Sequence, residues 1–335
     1  MEFIRIERNV RNKRQLKYLQ QLMTHPSLKG SEKDLSFSAQ IHYMMIHKIY
    51  YQLINENESA FQYMKQVIDL YQQHPAKIKT HPSRYLSALN NFFSICMKQR
   101  KHHLIDEYIS KLEPWMLDYD KKSQYKLYEY LIEILFWKGD TEKAVALNQE
   151  TRAHFFDNTK NSLSNNRKLV LTFNFMYFYH LFERYEEAAD MAARLLDMKG
   201  LDLRIDIYAA TRIFQVIFLY EIEKWSFMES AIRAAKHFLK TRNSYYELEK
   251  TILFAIQKLA LTADKRKKQR ILQELKKNIQ QVCQADPLES NFLESCNILP
   301  WLHAKLQGGK PLEYVLERYR EIAQRHSTAV FSANQ

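Results

Sequence analysis

The chain has 335 residues, 46% of them apolar, and a formal charge of +12, with only 5 Gly and 7 Pro beside 21 Tyr and 19 Phe. One compact core usually stops growing near ~250–300 residues, so the length points to a modular architecture, and the apolar content excludes a chain too polar to fold. So few glycines exclude the phosphate loops and tight turns on which parallel α/β nucleotide enzymes depend.

From the N-terminus, charge begins at Glu2 and Arg5 with no apolar leader after it, and no run of ~18 uncharged apolar residues follows anywhere. Neither a secretion signal nor a membrane contact is expected. The three cysteines, Cys96, Cys283 and Cys296, are far apart and odd in number, the pattern of reduced core thiols in a cytoplasmic protein.

Apolar residues recur with helical period almost throughout. A leading helix is expected over 2–24, then helix pairs over 34–73, 83–118, 122–156, 166–198, 203–241, 244–284 and 288–326. Residues 1–30 read as a cap, 31–326 as one array of about seven pairs, and 327–335 as a frayed tail. Gly30, Gly139, Gly200 and Gly308–Gly309 fall between the periodic stretches, where a helix end favours a residue with positive φ. The aromatic run from Phe173 to Tyr179 alternates like a strand over seven residues, but it lies within a long unbroken segment and reads as a buried helix. The polar run 157–165 reads as a loop open to proteolysis, not as a domain boundary.

The clearest unit runs from Arg184 to Leu196: an aromatic residue, two acids, Ala188, then Ala192 and Leu195. Gly139 to Ala144 has a similar form, and Glu223 to Met228 a weaker one. Aligned on Tyr185, the equivalent positions are Asn57, His102, Thr141, Tyr185, Trp225, Lys265 and Leu312, at steps of 45, 39, 44, 40, 40 and 47. Three residues on stand Ala60, Ile105, Ala144, Ala188, Met228, Lys268 and Val315; seven on stand Met64, Ile109, Asn148, Ala192, Ile232, Leu272 and Tyr319. Small and apolar residues at these places let two helices approach and lock against the next pair, since no unit can bury its face alone. This pattern resembles the tetratricopeptide repeat, although the steps exceed that family's period of about 34 residues. The resemblance implies an all-α, right-handed α-α superhelix; another α-α solenoid with units of about 40 residues, of HEAT-like kind, is the alternative.

No chemistry emerges from the motifs. The twelve histidines are dispersed, no cysteine pair has zinc spacing, and there is neither a phosphate loop nor a Gly-x-Ser-x-Gly elbow. No enzyme, metal or cofactor is expected. His102–His103 read as a solvated turn. Cations cluster at Arg5–Lys17, at Lys98–His103, and at Lys265, Arg266, Lys267, Lys268 and Arg270. The last cluster opens a helix, where cations oppose the macrodipole. Its bland reading is a solvated face; the sharper one is a patch for an acidic partner or nucleic acid, though no aromatic platform for a single strand is evident beside it.

In the family resembled, the first helix of each pair lines the concave face. Carried onto this chain, the groove candidates are Asn90, Asn91, Lys126, Glu129, Glu133, Phe173, Asn174, Tyr177 and His180. Asn91 and Asn174 fall at equivalent places, and an Asn amide can both donate to and accept from a peptide backbone. The expected function is a non-enzymatic protein- or peptide-binding scaffold, with a peptide-sensing regulatory receptor or a basic nucleic-acid-binding array as alternatives.

Overall fold

The computed structural model describes residues 10–28, 35–116, 121–155, 163–198 and 204–333, with side chains placed outside 110–116, 121–126, 323 and 325–333. The described residues are all-α, with no strand. Sixteen α-helices appear among them: α1 Lys13–Met23, α2 Phe37–Leu53, α3 Asn57–Gln73, α4 Pro75–Thr80, α5 Pro82–Lys98, α6 His102–Met116, α7 Lys121–Lys138, α8 Thr141–Phe155, α9 Asn165–Leu181, α10 Tyr185–Asp197, α11 Ile205–Glu221, α12 Trp225–Thr241, α13 Glu247–Ala260, α14 Lys265–Ala285, α15 Leu299–Gln307 and α16 Pro311–Ala333. Within each compact unit most helices pack on their neighbours in sequence, and several first helices of pairs also touch the next first helix, as α11 touches α9 and α13. That is the contact pattern of a helical repeat.

The expected pairs stand with adjusted bounds. The aromatic run of 173–179 lies inside α9. The leading helix does not run from 2. Residues 1–9 lie outside the described residues, Val10 and Arg11 are not helical, and α1 starts at Lys13 because the Asn12 side chain accepts the amide of Gln15 at 3.0 Å. The short α4 fills the gap before α5, and a 3-10 segment, Pro287–Glu294, precedes α15 where an α-helix was expected. At the other end α16 continues to Ala333, past the start of the expected frayed tail.

Five pairs turn in the same way. Asn55, Arg100, Gly139, Glu183 and Glu223 have φ of 64°, 57°, 79°, 59° and 56°. Each stands two residues before an anchor of the sequence repeat. In each, the next amide reaches back five residues to the preceding helix: Glu56 to Tyr51, Lys101 to Cys96, Asp140 to Leu135, Arg184 to Tyr179 and Lys224 to Leu219, all at 2.8–2.9 Å. This is the Schellman closure, which satisfies helix-end carbonyls. Only one of the five residues is glycine; Gly30 and Gly200 lie outside the described residues.

The packing positions behave as the repeat requires. Ala60, Ile105, Ala144, Ala188 and Met228 are buried, as are Met64, Ile109, Asn148, Ala192, Ile232 and Leu272. Asn148 departs from the apolar pattern because the Tyr128 hydroxyl donates to its side-chain oxygen inside the core. Lys268 is half-exposed and does not plug a core.

Contacts divide the chain into two compact units, Asn12–Asn161 and Met1–Arg11 with Ser162–Gln335. The division falls in the polar run 157–165, expected as a loop within one array; residues 156–162 lie outside the described residues. The core of the first unit joins α2 through α7 around Phe61, Met64, Phe92, Phe93 and Tyr130. In the second, Trp301, Phe175, Phe214 and Phe218 are among the largest side chains fully enclosed.

Candidate ligand-binding faces

In the first unit, α5 and α7 place the expected groove residues near one another. The Tyr130 hydroxyl donates to the Asn90 carbonyl at 2.8 Å and also lies 3.3 Å from its Oδ1. Glu133 stands one helical turn beyond Tyr130, and Glu129 is exposed beside it. The half-buried Glu133 carboxyl is pushed up to about 8, first by desolvation and then by Glu129. Asn91 is half-buried and spends its amide on the Ser87 carbonyl of its own helix at 3.0 Å, keeping its oxygen for another donor. Lys126 lies outside the residues whose side chains are described.

In the second unit, the expected groove residues of α9 separate. Phe173 is half-buried against the small core of Leu169, Leu195 and Ile207. Asn174 is half-buried, and its amide has no hydrogen-bond partner among the described residues. Tyr177 is half-buried and meets Phe214 edge to face, with centroids 5.8 Å apart. His180 faces no solvent at all: it is 0% exposed, enclosed by Tyr177, Tyr185, Phe214 and Phe218. Neither ring nitrogen finds a partner, and desolvation lowers its pKa to about 3. The helical register placed it one turn from Tyr177, but the aromatic residues of α10 and α11 close over it.

Sequence reading missed a buried polar centre in this unit. Arg11, read there as one of a cluster of surface cations, is 8% exposed and donates to both Glu249 oxygens at 2.9 and 3.0 Å and to Glu289 at 3.2 Å. Its guanidinium also lies over Tyr246 and Phe292, 4.5 and 5.1 Å from the ring centres. Glu289 accepts the amides of Glu247 and Leu248, and Asn291 donates to the Val10 carbonyl at 2.8 Å. Burial raises the Glu249 carboxyl pKa and the paired guanidinium pulls it back. The cleft beside this centre measures about 30 Å³, room for one or two waters rather than a ligand. Partners 238 residues apart leave no local spacing to read.

Part of the Lys98–His103 cluster is absorbed by the fold, while Arg100 and His103 stay exposed. Arg100 forms a turn, and Lys101 pairs with Glu58 at 3.0 Å and lies 3.5 Å from the centre of the Phe61 ring. His102, read as part of a solvated turn, is 2% exposed and stacks on Trp137. Lys265, Arg266, Lys267 and Arg270 do stand exposed at the start of α14, where the Asp264 side chain accepts the Lys267 amide at 2.8 Å.

All three cysteines are free thiols; burial raises the pKa of Cys96 to about 12 and that of Cys296 well above its usual range. Among the described residues no group of three His, Cys, Asp or Glu side chains is placed to hold a metal ion, and no helix is long and apolar enough to cross a membrane.

No family model matches the chain, and neither a curated protein nor a solved structure matches it.

Proposed function

We propose that the chain is a tetratricopeptide-like α-α superhelix of the cytoplasm that binds a peptide or protein segment through the first helices of its pairs, and that it catalyses no reaction. Five turns of one geometry at a constant offset from the repeat anchors support the repeat reading. The binding reading rests above all on Asn174. Its half-buried amide has no protein partner and keeps access to the surface, so it is open to water or to a ligand's backbone. Asn91, at the equivalent position two pairs earlier, likewise keeps an uncommitted oxygen. The partner's backbone supplies the complementary donors and acceptors, and exposed Glu129 favours a basic residue near Asn90 and Asn91.

Selection from a random peptide display library against the immobilised chain tests this. Peptides that engage the first unit should bind the Asn91→Ala or Glu129→Lys variants, and peptides that engage the second the Asn174→Ala variant, about 2- to 10-fold more weakly, the worth of one net hydrogen bond or surface charge. The far-UV dichroism of the variants should be unaltered. Peptides that bind all three variants as tightly as the parent chain would place recognition elsewhere.

A further inference from the structure

The cations at the start of α14 acquire a neighbour that their sequence context does not contain. Lys268 holds its ammonium 5.6 Å from the centre of the Tyr220 ring at the end of α11. Tyr220 in turn meets the edge of Trp225, at the start of α12, with centroids 5.6 Å apart. Trp225 is 43% exposed and Phe227, two residues on, is 60% exposed. Large aromatic side chains left in water are informative in a chain that buries most of its apolar residues. Trp225 is joined through Tyr220 to Lys268, whose helical turn also carries the exposed Lys265, Arg266 and Lys267, with Arg270 just beyond, and none of these four has an ion-pair partner among the described residues. A second exposed pair, Phe254 beneath Lys258 at 4.4 Å, stands on α13, which packs against α14.

We propose that this edge of α11, α12 and α14 binds single-stranded nucleic acid, a base stacking on Trp225 and the neighbouring phosphates pairing with the cations of α14. Charge complementarity selects the partner: the exposed charge of α14's first turns is strongly positive, and Asp264 is committed to capping. The mixture of ring and cation selects among anionic partners. An acidic peptide would use the cations and leave Trp225 in water. An anionic bilayer would take the rings into its apolar layer, and Lys268, held over Tyr220, would be carried toward that layer with them. A single strand offers a flat apolar face and an anion in every unit, so both features are satisfied together, as on other aromatic and basic platforms. The chain's +12 charge would speed the encounter without specifying it.

The test is fluorescence anisotropy of labelled oligothymidylate and oligouridylate with the full chain, between about 50 and 200 mM salt. Binding should weaken linearly with salt on logarithmic axes. Trp225→Ala should weaken it on the order of 10-fold with an unchanged salt slope. Alanine at Lys265, Arg266 and Lys267 together should reduce the slope by about 2, since each phosphate contact in a single strand contributes about 0.7. Every substituted side chain is exposed, so far-UV dichroism and thermal midpoint should stay at parental values. Several results would overturn the assignment: no oligonucleotide binding at the lowest salt, equal affinity for duplex, polyglutamate competing as well as oligothymidylate, or full affinity in Trp225→Ala. Trp225-dependent binding to phosphatidylserine vesicles without oligonucleotide binding would reassign the edge to a membrane. The residues differ from those of the peptide-binding reading, so either can fail alone.

Discussion

His180 and Arg11 show two ways in which a buried ionisable group is accommodated in one unit. His180 stays neutral because nothing pairs with it: its nitrogens are unpartnered and its neighbours are rings. Its folded pKa of about 3 lies below the ordinary value near 6.5, so the folded state binds fewer protons than the unfolded one. The sign follows. Stability is complete above about pH 6.5 and falls as pH drops toward 3, by up to ~1.4 kcal/mol per pH unit from this residue. Replacement by phenylalanine should therefore raise the thermal midpoint at pH 5 more than at pH 8; an equal shift at both would show that the imidazole does not carry this pH dependence. Arg11 takes the opposite route and stays charged between two carboxylates. Removing it leaves Glu249 and Glu289 buried without their cation, so Arg11→Met should cost about 3–5 kcal/mol in denaturant unfolding. A loss under 1 kcal/mol would mean that the carboxylates are hydrated or already protonated.

At the scale of elements, the recurrent turn is the most regular feature. Its left-handed residue is Asn, Arg, Gly, Glu and Glu in the five pairs, so four positions carry a Cβ in a region that glycine occupies without steric cost. Exposed Glu223 is a clean probe. Glu223→Gly should stabilise by about 0.5–1 kcal/mol, the relieved strain exceeding the greater freedom of unfolded glycine. Gly139→Ala should do the reverse by a similar amount, since an added Cβ meets nothing within 4 Å and only φ is tested. Like signs in the two substitutions would refute a shared turn. The register of these turns was legible in the sequence, because Ala60, Ala144 and Ala188 mark where helices close on each other. The turn residue is not, because glycine is the sequence signal for such a turn and only Gly139 among the five supplies it. Asn148 looked like a flaw in the repeat and is instead one half of a buried pair with Tyr128, twenty residues away.

For the whole molecule, the division into two units at Asn161 and Ser162 coincides with a polar run containing Lys160. Brief trypsin treatment under native conditions should first yield fragments that meet between residues 156 and 165; first cuts among the lysines of α14 would contradict this. The sequence by itself determined the all-α class, most of the paired helices and the spacing of their packing positions. Those properties are local: helical period, small residues at fixed offsets and scarce glycines act over a few turns. Only the tertiary structure decided which polar residues are available to a ligand. It buried Arg11 and His102, sealed His180 among rings, left the Asn174 amide without a protein partner, and set Lys268 over Tyr220, which meets Trp225. A histidine at a groove register and a histidine in a core share one helical pattern. Enclosure is settled by side chains from other helices, which lie tens to hundreds of residues away in the chain.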